Sequence, residues 1–333
     1  MPMIDLSGEE LLSFQGRTPR PADFDAFWDE GLARIEAIAE APQLQPAQIE
    51  VPGVSCFHLT YTGVGNAQIY AKYLKADVSD AQRPILLVFH GYRRSSPSWL
   101  NLMQFVCAGF DVMAMDCRGQ GGRSQDVGGV LGNTQSGHFI RGLDDPDPHR
   151  MLMHQIMLDA ARLARLASRM DGIGNVPVAA FGASQGGGLA LASAALFPDM
   201  RRVVAICPFL CDYRRVWEMD LGDTAYAELT DYFRMFDPRH EREGAIFTKL
   251  GYIDVQHLAS RIRGKVLLMT GQMDTTCPPS AQYAAYNRIL APKRGLLYPD
   301  YGHEVAPDME DMALRFLIPM AGRENGSDGQ ERK

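Results

Sequence analysis

Phe181-Gly182-Ala183-Ser184-Gln185-Gly186-Gly187-Gly188 decides how the rest of the chain is read. It contains G-x-S-x-G, with a short apolar run, Val178 to Phe181, before it and a helix-forming stretch, Gln185 to Leu196, after it. A strand that turns directly into a helix forces the corner residue into a strained backbone. Gly182 and Gly186 remove side chains that would collide in such a turn. Ser184 Oγ then projects above the sheet at a helix N-terminus, where free backbone N–H groups and the helix dipole favour developing negative charge. A bare G-x-S-x-G also arises by chance in Gly-rich loops, and the strand-to-helix setting is what singles this one out.

Working outward, Ile85-Leu86-Leu87-Val88-Phe89 is a continuous apolar run, the mark of a strand buried on both faces. Phe110 to Met115, Val203 to Ile206, Val266 to Thr270 and Gly295 to Tyr298 repeat the pattern. Helical stretches lie between several of them: Trp99 to Ala108, and Met151 to Met170 with Leu152, Ile156, Leu163, Leu166 and Met170 on one stripe. Buried strands alternating with helices predict an α/β protein with a mostly parallel central sheet flanked by helices. From Ser55 to Tyr73, alternation around Gly63-Val64-Gly65 predicts antiparallel strands joined by a hairpin. Residues 20–48 read as a helical lead-in, with Phe24, Phe27, Trp28, Leu32 and Ile35 on one face, ended by the Pro-rich stretch Ala41 to Pro52. Residues 211–262 interrupt the alternation with aromatic and charged residues and read as a helical insertion, either a roof over a site or padding. We expect one domain over residues 1–321 and a flexible polar tail at 322–333.

A serine hydroxyl is a poor nucleophile until a base takes its proton, and the base needs a third group to orient it. Of eight histidines, His303 in Tyr301-Gly302-His303-Glu304 follows the last strand-like run, at the carboxyl ends of the strands where α/β sheets place their sites. Asp274 follows the run Val266 to Thr270; Asp300 and Asp308 are nearer His303 in sequence, but neither follows a separate strand. The order Ser184, Asp274, His303 is that of α/β-hydrolases. His58, His138, His149, His154, His240 and His257 read as surface or packed residues, and His149 and His154 lack the spacing for a shared metal site. The loop Phe89-His90-Gly91-Tyr92 follows an early strand, so the backbone N–H groups of Tyr92 and Gln185 are the expected oxyanion donors. Arg118-Gly119-Gln120-Gly121 follows the run Phe110 to Met115, and Arg118 is expected to hold neighbouring loops by bidentate hydrogen bonds.

Composition narrows the remaining classes. The 333 residues are 46% hydrophobic and 22% charged, a soluble globular balance with material for a sizeable core. Lys and Arg number 33 against 40 Asp and Glu, a net charge of -7, with no basic patch suited to nucleic acid. No apolar run approaches the roughly 20 residues that span a bilayer. Met1 to Glu10 has acids and neither a basic nor an apolar segment of a signal peptide. Six cysteines in a chain this long do not make a disulfide scaffold, and we expect the reducing cytoplasm. Cys207 and Cys211 form a lone C-x-x-x-C, read as buried thiols, and no metal or cofactor is expected.

Taken together, Arg118-Gly119-Gln120, Gly182-Ala183-Ser184-Gln185-Gly186 and His303-Glu304 resemble the acetyl xylan esterase / cephalosporin C deacetylase family of α/β-hydrolases, carbohydrate esterase family 7. So do Pro208-Phe209-Leu210-Cys211, Met273-Asp274 with Cys277-Pro278-Pro279-Ser280, Ala284-Ala285-Tyr286-Asn287, and Pro21-Ala22-Asp23-Phe24-Asp25-Ala26-Phe27-Trp28. The resemblance spans Pro21 to Leu317. It implies deacetylation of short acetylated xylo-oligosaccharides and of cephalosporin C through an acetyl-enzyme, by Ser184, Asp274 and His303 with the Tyr92 and Gln185 amides. It also implies an intracellular homo-hexamer, and the composition leaves no nucleic-acid or membrane partner expected. Arg118, Gly119, Gln120 and Glu304 would support the site, and a small acyl pocket would be walled by Tyr92 and Phe209. The family carries a tyrosine-rich run where this chain has Asp145-Pro146-Asp147-Pro148-His149-Arg150, which leaves substrate preference open. Other readings are a broad short-chain carboxylesterase, another acyl hydrolase such as a peptidase, and a binding protein without activity.

Overall fold

The computed structural model describes residues 4–39, 41–77, 83–170, 176–222 and 224–322. Among them nine strands form one sheet: β1 (Gln43–Pro46), β2 (Val54–Thr62), β3 (Gln68–Ala76), β4 (Ile85–Phe89), β5 (Asp111–Met115), β6 (Val178–Ala183), β7 (Arg202–Ile206), β8 (Lys265–Gly271) and β9 (Lys293–Tyr298). The spatial order is β1-β2-β3-β5-β4-β6-β7-β8-β9. β1, β2, β3 and β5 pair antiparallel, and from β5 to β9 every neighbour is parallel. In β4 every residue is buried: Ile85, Leu87 and Phe89 enter one core and Leu86 and Val88 the other. The strand's period of two therefore delivers an apolar side chain to both faces, as the unbroken run requires.

Helices cover both faces. Trp99–Cys107 and Met309–Leu317 pack on one side, and Leu152–Arg169 and Gln185–Leu196 on the other. The chain leaves β4 for β5 on one flank and takes up β6 on the other, so the sheet's switch point lies at the carboxyl ends of β4 and β6. Loops diverge there and open a crevice, which is where open α/β sheets bind ligands.

Two boundaries differ from the sequence reading. The lead-in of residues 20–48 is helical only over Phe24–Glu36, and Gln43–Pro46 is an exposed edge strand paired with β2. Pro42 and Pro46 disfavour helix there, and a four-residue edge strand carries too little apolar alternation to be read. A short helix, Gly8–Ser13, precedes the lead-in, closed by a capping box between Ser7 and Glu10. The interrupting segment forms helices Tyr213–Glu218, Ala227–Phe236, Glu243–Leu250 and Val255–Leu258. Of the tail expected at 322–333, all but Gly322 lies outside the described residues.

Arg118 ties the layers together at the crevice. Its fully buried guanidinium bonds both Asp159 carboxylate oxygens, at 2.7 and 2.8 Å, and donates to Gln155 Oε1 and the Val64 carbonyl. It thereby joins the loop after β5, the helix Leu152–Arg169 and the β2–β3 hairpin. Removing one member of such a pair leaves a buried charge without its partner, which costs about 3–5 kcal/mol. Asp159→Ala is therefore expected to lower the urea unfolding free energy by about that amount. A midpoint equal to wild type would show that this pair does not hold the layers together.

Candidate active site

The turn after β6 has the conformation its sequence demands. Ser184 sits at φ 56° and ψ -124°, a sparsely populated region that costs on the order of 1–3 kcal/mol. A Cβ at Gly182 would lie 2.2 Å from the Gly186 carbonyl carbon, and one at Gly186 would lie 2.1 Å from the Phe89 carbonyl oxygen. The two glycines let the helix Gln185–Leu196 start against the end of β4, which brings the corner beside the loop His90-Gly91-Tyr92. Three backbone bonds hold the corner: Ser184 N–H donates to the Ile206 carbonyl, and the Ser184 carbonyl accepts from Gly188 and Phe209.

Loops after β6, β8 and β9 bring Ser184, Asp274 and His303 into a line. Ser184 Oγ is 3.0 Å from His303 Nε2, and His303 Nδ1 is 2.8 Å from Asp274 Oδ2. A carboxylate accepts only, so Nδ1 carries the ring proton and Nε2 is free to accept from the serine. Asp274 has no exposed side-chain surface, and its charge is met by the N–H groups of Thr276 and Cys277 on Oδ1 and by Gln282 Nε2 on Oδ2. Gln282 is itself fixed by Thr270 Oγ1. The Asp274 and His303 loops are stitched by Met273 N–H to the Tyr301 carbonyl, and Glu304 Oε1 accepts from Gly302 N–H in the turn that carries His303.

Beside the serine, the backbone N–H groups of Tyr92 and Gln185 have no acceptor among the described residues. Unengaged donors at a helix start and an adjacent loop are what an oxyanion requires. Hydrogen bonds hold the loop around them. His90 Nδ1–H donates to the Gly91 carbonyl, and His90 Nε2 accepts from Cys117 N–H. Gln120 and Gln185 exchange amide hydrogen bonds at 2.8 and 3.1 Å, and Gln120 Oε1 also accepts from Arg93 N–H. Gln120 therefore links the serine corner to the loop of Tyr92, while the carbonyl of Gly119 accepts from His138 Nε2–H at 2.7 Å.

Phe209 requires a correction. It was expected to wall the acyl pocket, yet it is fully buried, its ring 5.4 Å from that of Tyr92 and 4.6 Å from that of Tyr226. Phe209 N–H is bonded to the Ser184 carbonyl, and its side chain packs among the rings of Tyr92, Phe139 and Tyr226 with no accessible surface. It supports Tyr92 from behind. Tyr92 is partly exposed and remains a candidate wall.

Three residues near the site carried no readable signal. Gln282 lies inside a helix, eight residues beyond its carboxylate partner. His138, assigned among surface or packed residues, is fully buried and meets the Tyr92 hydroxyl through Nδ1. Glu228, on the inserted helix Ala227–Phe236, is hydrogen-bonded to that same hydroxyl across 136 residues of sequence. The segment 145–150 contacts other elements: His149 stacks on Phe27 and pairs with Glu30, and the Asp145 carbonyl accepts from Lys249.

Among the described residues, one cluster has metal-ligand composition, Cys207 with Asp274 and His303, whose ligand atoms lie within 4.8 Å of one another. His303 Nδ1 and Asp274 Oδ2 are already bonded together, and burial with the adjacent Asp274 charge pushes the Cys207 thiol up to about 12. An open depression of about 1110 Å³ with Arg169, Arg201, Arg202 and Arg263 on its wall lies at the amino ends of β6 to β8, the opposite end of the sheet from this chemistry. No helix among the described residues is long and apolar enough to cross a membrane.

Comparison with known proteins agrees with this geometry. The acetyl xylan esterase family (AXE1) matches residues 1–320. The chain is similar to acetyl xylan esterase 1 from Thermoanaerobacterium sp. JW/SL YS485, with 49% identity and a TM-score of 0.91 over 95% of this chain and 99% of that one. It is also similar to an acetyl xylan esterase from Paenibacillus sp. R4, with 32% identity and a TM-score of 0.85 over 94% and 99%. Acetyl esterase Axe7A of Xylanibacter ruminicola is 27% identical over 293 residues, which cover 86% of this chain and 64% of that relative's length. With its mostly parallel sheet, strained serine corner and matching sequence over almost its whole length, the chain belongs to the acetyl xylan esterase family of α/β-hydrolases.

Proposed function

We propose that this protein is a serine esterase that removes acetyl groups from short acetylated xylo-oligosaccharides, and from cephalosporin C, through an acetyl-enzyme. The hydrogen-bonded line from Ser184 through His303 to Asp274, next to two unengaged N–H groups, is the observation that carries this reading. Ser184 Oγ attacks the acetyl carbonyl carbon as His303 Nε2 takes its proton. The carbonyl oxygen becomes an oxyanion and accepts from Tyr92 and Gln185 N–H, donors typically worth ~10²–10³ in rate each. His303 then returns the proton to the departing sugar oxygen, leaving acetyl on Ser184. Water, deprotonated by His303, attacks that ester, and as the bond to Ser184 Oγ breaks His303 returns the proton to it, releasing acetate and restoring the serine. Asp274 keeps Nδ1 protonated throughout and stabilises the imidazolium.

The likeness to acetyl xylan esterases supports the acetyl group as the acyl moiety. Tyr92, whose ring packs on that of Phe209, is proposed as the bulk that a longer acyl chain would meet. The six cysteines are free, which supports a reducing cytoplasmic location. A homo-hexamer is the assembly that the family reading favours; light scattering is expected to give six chain masses, and a monomer mass at all concentrations would reject that part alone.

A panel of 4-nitrophenyl esters with Ser184→Ala tests the chemistry. The variant is expected to lose several orders of magnitude in kcat with unchanged thermal unfolding, and a serine-directed phosphonate to label Ser184 alone. In an apolar pocket with room, each added methylene gains about 0.8 kcal/mol, whereas in a filled one overpacking costs ~1–3 kcal/mol. The wild-type kcat/KM is expected to peak at acetate and drop roughly tenfold by butyrate, with acetylated xylo-oligosaccharides and cephalosporin C hydrolysed. A higher kcat/KM for butyrate or octanoate would replace this reading with a broad carboxylesterase.

A further inference from the structure

Behind the oxyanion loop lies a buried polar line that the proposed mechanism does not use. Glu228, 2% exposed, presents Oε1 to the Tyr92 hydroxyl and Oε2 to the N–H groups of Phe139 and Ile140. The Tyr92 hydroxyl also lies 3.0 Å from His138 Nδ1 and accepts from His138 N–H. His138 Nε2 faces the Gly119 carbonyl at 2.7 Å, and a carbonyl cannot donate, so Nε2 carries a proton.

Counting protons fixes what this line can be. Tyr92 has one hydroxyl proton and two neighbours, Glu228 Oε1 and His138 Nδ1, that would each accept it. If Glu228 is ionised and His138 neutral, the hydroxyl donates to Glu228, and the Tyr92 oxygen and His138 Nδ1 confront each other with lone pairs. One added proton removes the conflict. Placed on Glu228, it gives an unbroken chain in which Glu228 donates to Tyr92, Tyr92 to His138 Nδ1, and His138 Nε2 to the Gly119 carbonyl. Placed on His138 Nδ1, it gives an imidazolium and a carboxylate bridged by Tyr92. Burial pushes Glu228 up to about 7 and His138 down, so the proton belongs on Glu228. The other titratable or charged groups around the line are Tyr213, near Glu228, and His90, Arg93, Asp126 and Arg141, near His138.

We propose that Glu228 is a positioning residue for the oxyanion-binding N–H of Tyr92, acting through one proton shared along Glu228, Tyr92 and His138. The proposal rests on the esterase reading above. Tyr92 stands between Gly91, whose carbonyl is held by His90, and Arg93, whose N–H is held by Gln120. Those bonds fix the backbone on either side, and the hydroxyl anchor fixes the rotation of the residue between them. The helical insertion thus reaches the reacting oxygen through one side chain, with Glu228 touching neither substrate nor the reacting atoms.

The sign of the pH effect follows from the raised Glu228 carboxyl. The aligned chain is present below its folded titration and lost as pH rises through it. With a saturating acetyl ester from about pH 6 to about pH 9, wild-type kcat is expected to decline several-fold through that titration while KM holds. Glu228→Gln donates an amide N–H to Tyr92 at every pH. It is expected to keep kcat within about threefold of the wild-type acid-side value and to abolish the decline. Glu228→Ala is expected to lower kcat about tenfold without pH dependence on that side, with KM changed less than twofold. An alkaline decline in Glu228→Gln identical to wild type overturns the proposal, as does a Glu228→Ala enzyme with lowered Tm and wild-type kcat. If Glu228→Ala does not fold, the Glu228→Gln profile decides. Activity surviving in Ser184→Ala would reject the esterase reading itself, whereas an inert Ser184→Ala beside wild-type profiles in both Glu228 variants rejects only the role of Glu228.

Discussion

Everything at the site depends on how closely the helix Gln185–Leu196 begins against the end of β4. With Cα hydrogens in place of side chains at Gly182 and Gly186, the helix start reaches the Phe89 carbonyl, and Ser184 is left at positive φ. That conformation is unfavourable for a serine, and it persists because the Ile206 carbonyl and the Gly188 and Phe209 amides hold both sides of the corner. The same contact sets Gln185 N–H next to the loop of Tyr92. The proposed nucleophile, the end of the helix dipole and the proposed second oxyanion donor thus come from one packing event between two adjacent parallel strands.

The candidate site was legible in the sequence where an apolar run announced a buried strand and a reactive residue followed it. Ser184 after β6, Asp274 after β8 and His303 after β9 all satisfy that condition, and so does the loop of Tyr92 after β4. Arg118 was legible as a structural arginine because it follows β5, though its partner Asp159 was not, being one of several polar residues on a long helix. What stayed hidden was contact between distant segments. Glu228 meets Tyr92 across 136 residues, and nothing in the composition of the insertion separates it from neighbouring acids. Phe209 was nominated from its place after β7 as a pocket wall, but its side chain is fully buried against Tyr92, Phe139 and Tyr226. β1 was missed for a different reason: an exposed strand of four residues has no buried face to leave a pattern.

The insertion between β7 and β8 sits at the junction of fold and chemistry. Its helices bury Tyr213, Tyr226, Tyr232 and Phe233 against the main core, a packing role. The same helices carry a carboxylate into that apolar layer, and a carboxyl there is costly unless it is fully bonded or protonated. Glu228 is bonded at both oxygens, by Tyr92 on Oε1 and by the Phe139 and Ile140 amides on Oε2. A buried polar group so engaged fixes the relative positions of three segments, and one of those segments is the loop proposed to face the developing oxyanion.

The central claim is that Ser184 is the atom that takes the acetyl group. Rapid acid quench of the wild-type enzyme within its first turnover of 4-nitrophenyl acetate, followed by proteolysis and mass measurement, observes that bond itself. The peptide containing Ser184 is expected to gain the mass of one acetyl group, with fragmentation placing it on the Ser184 side chain, while all other peptides keep their masses. Release of 4-nitrophenol with that peptide at its unmodified mass, or with the acetyl group on another residue, would contradict it.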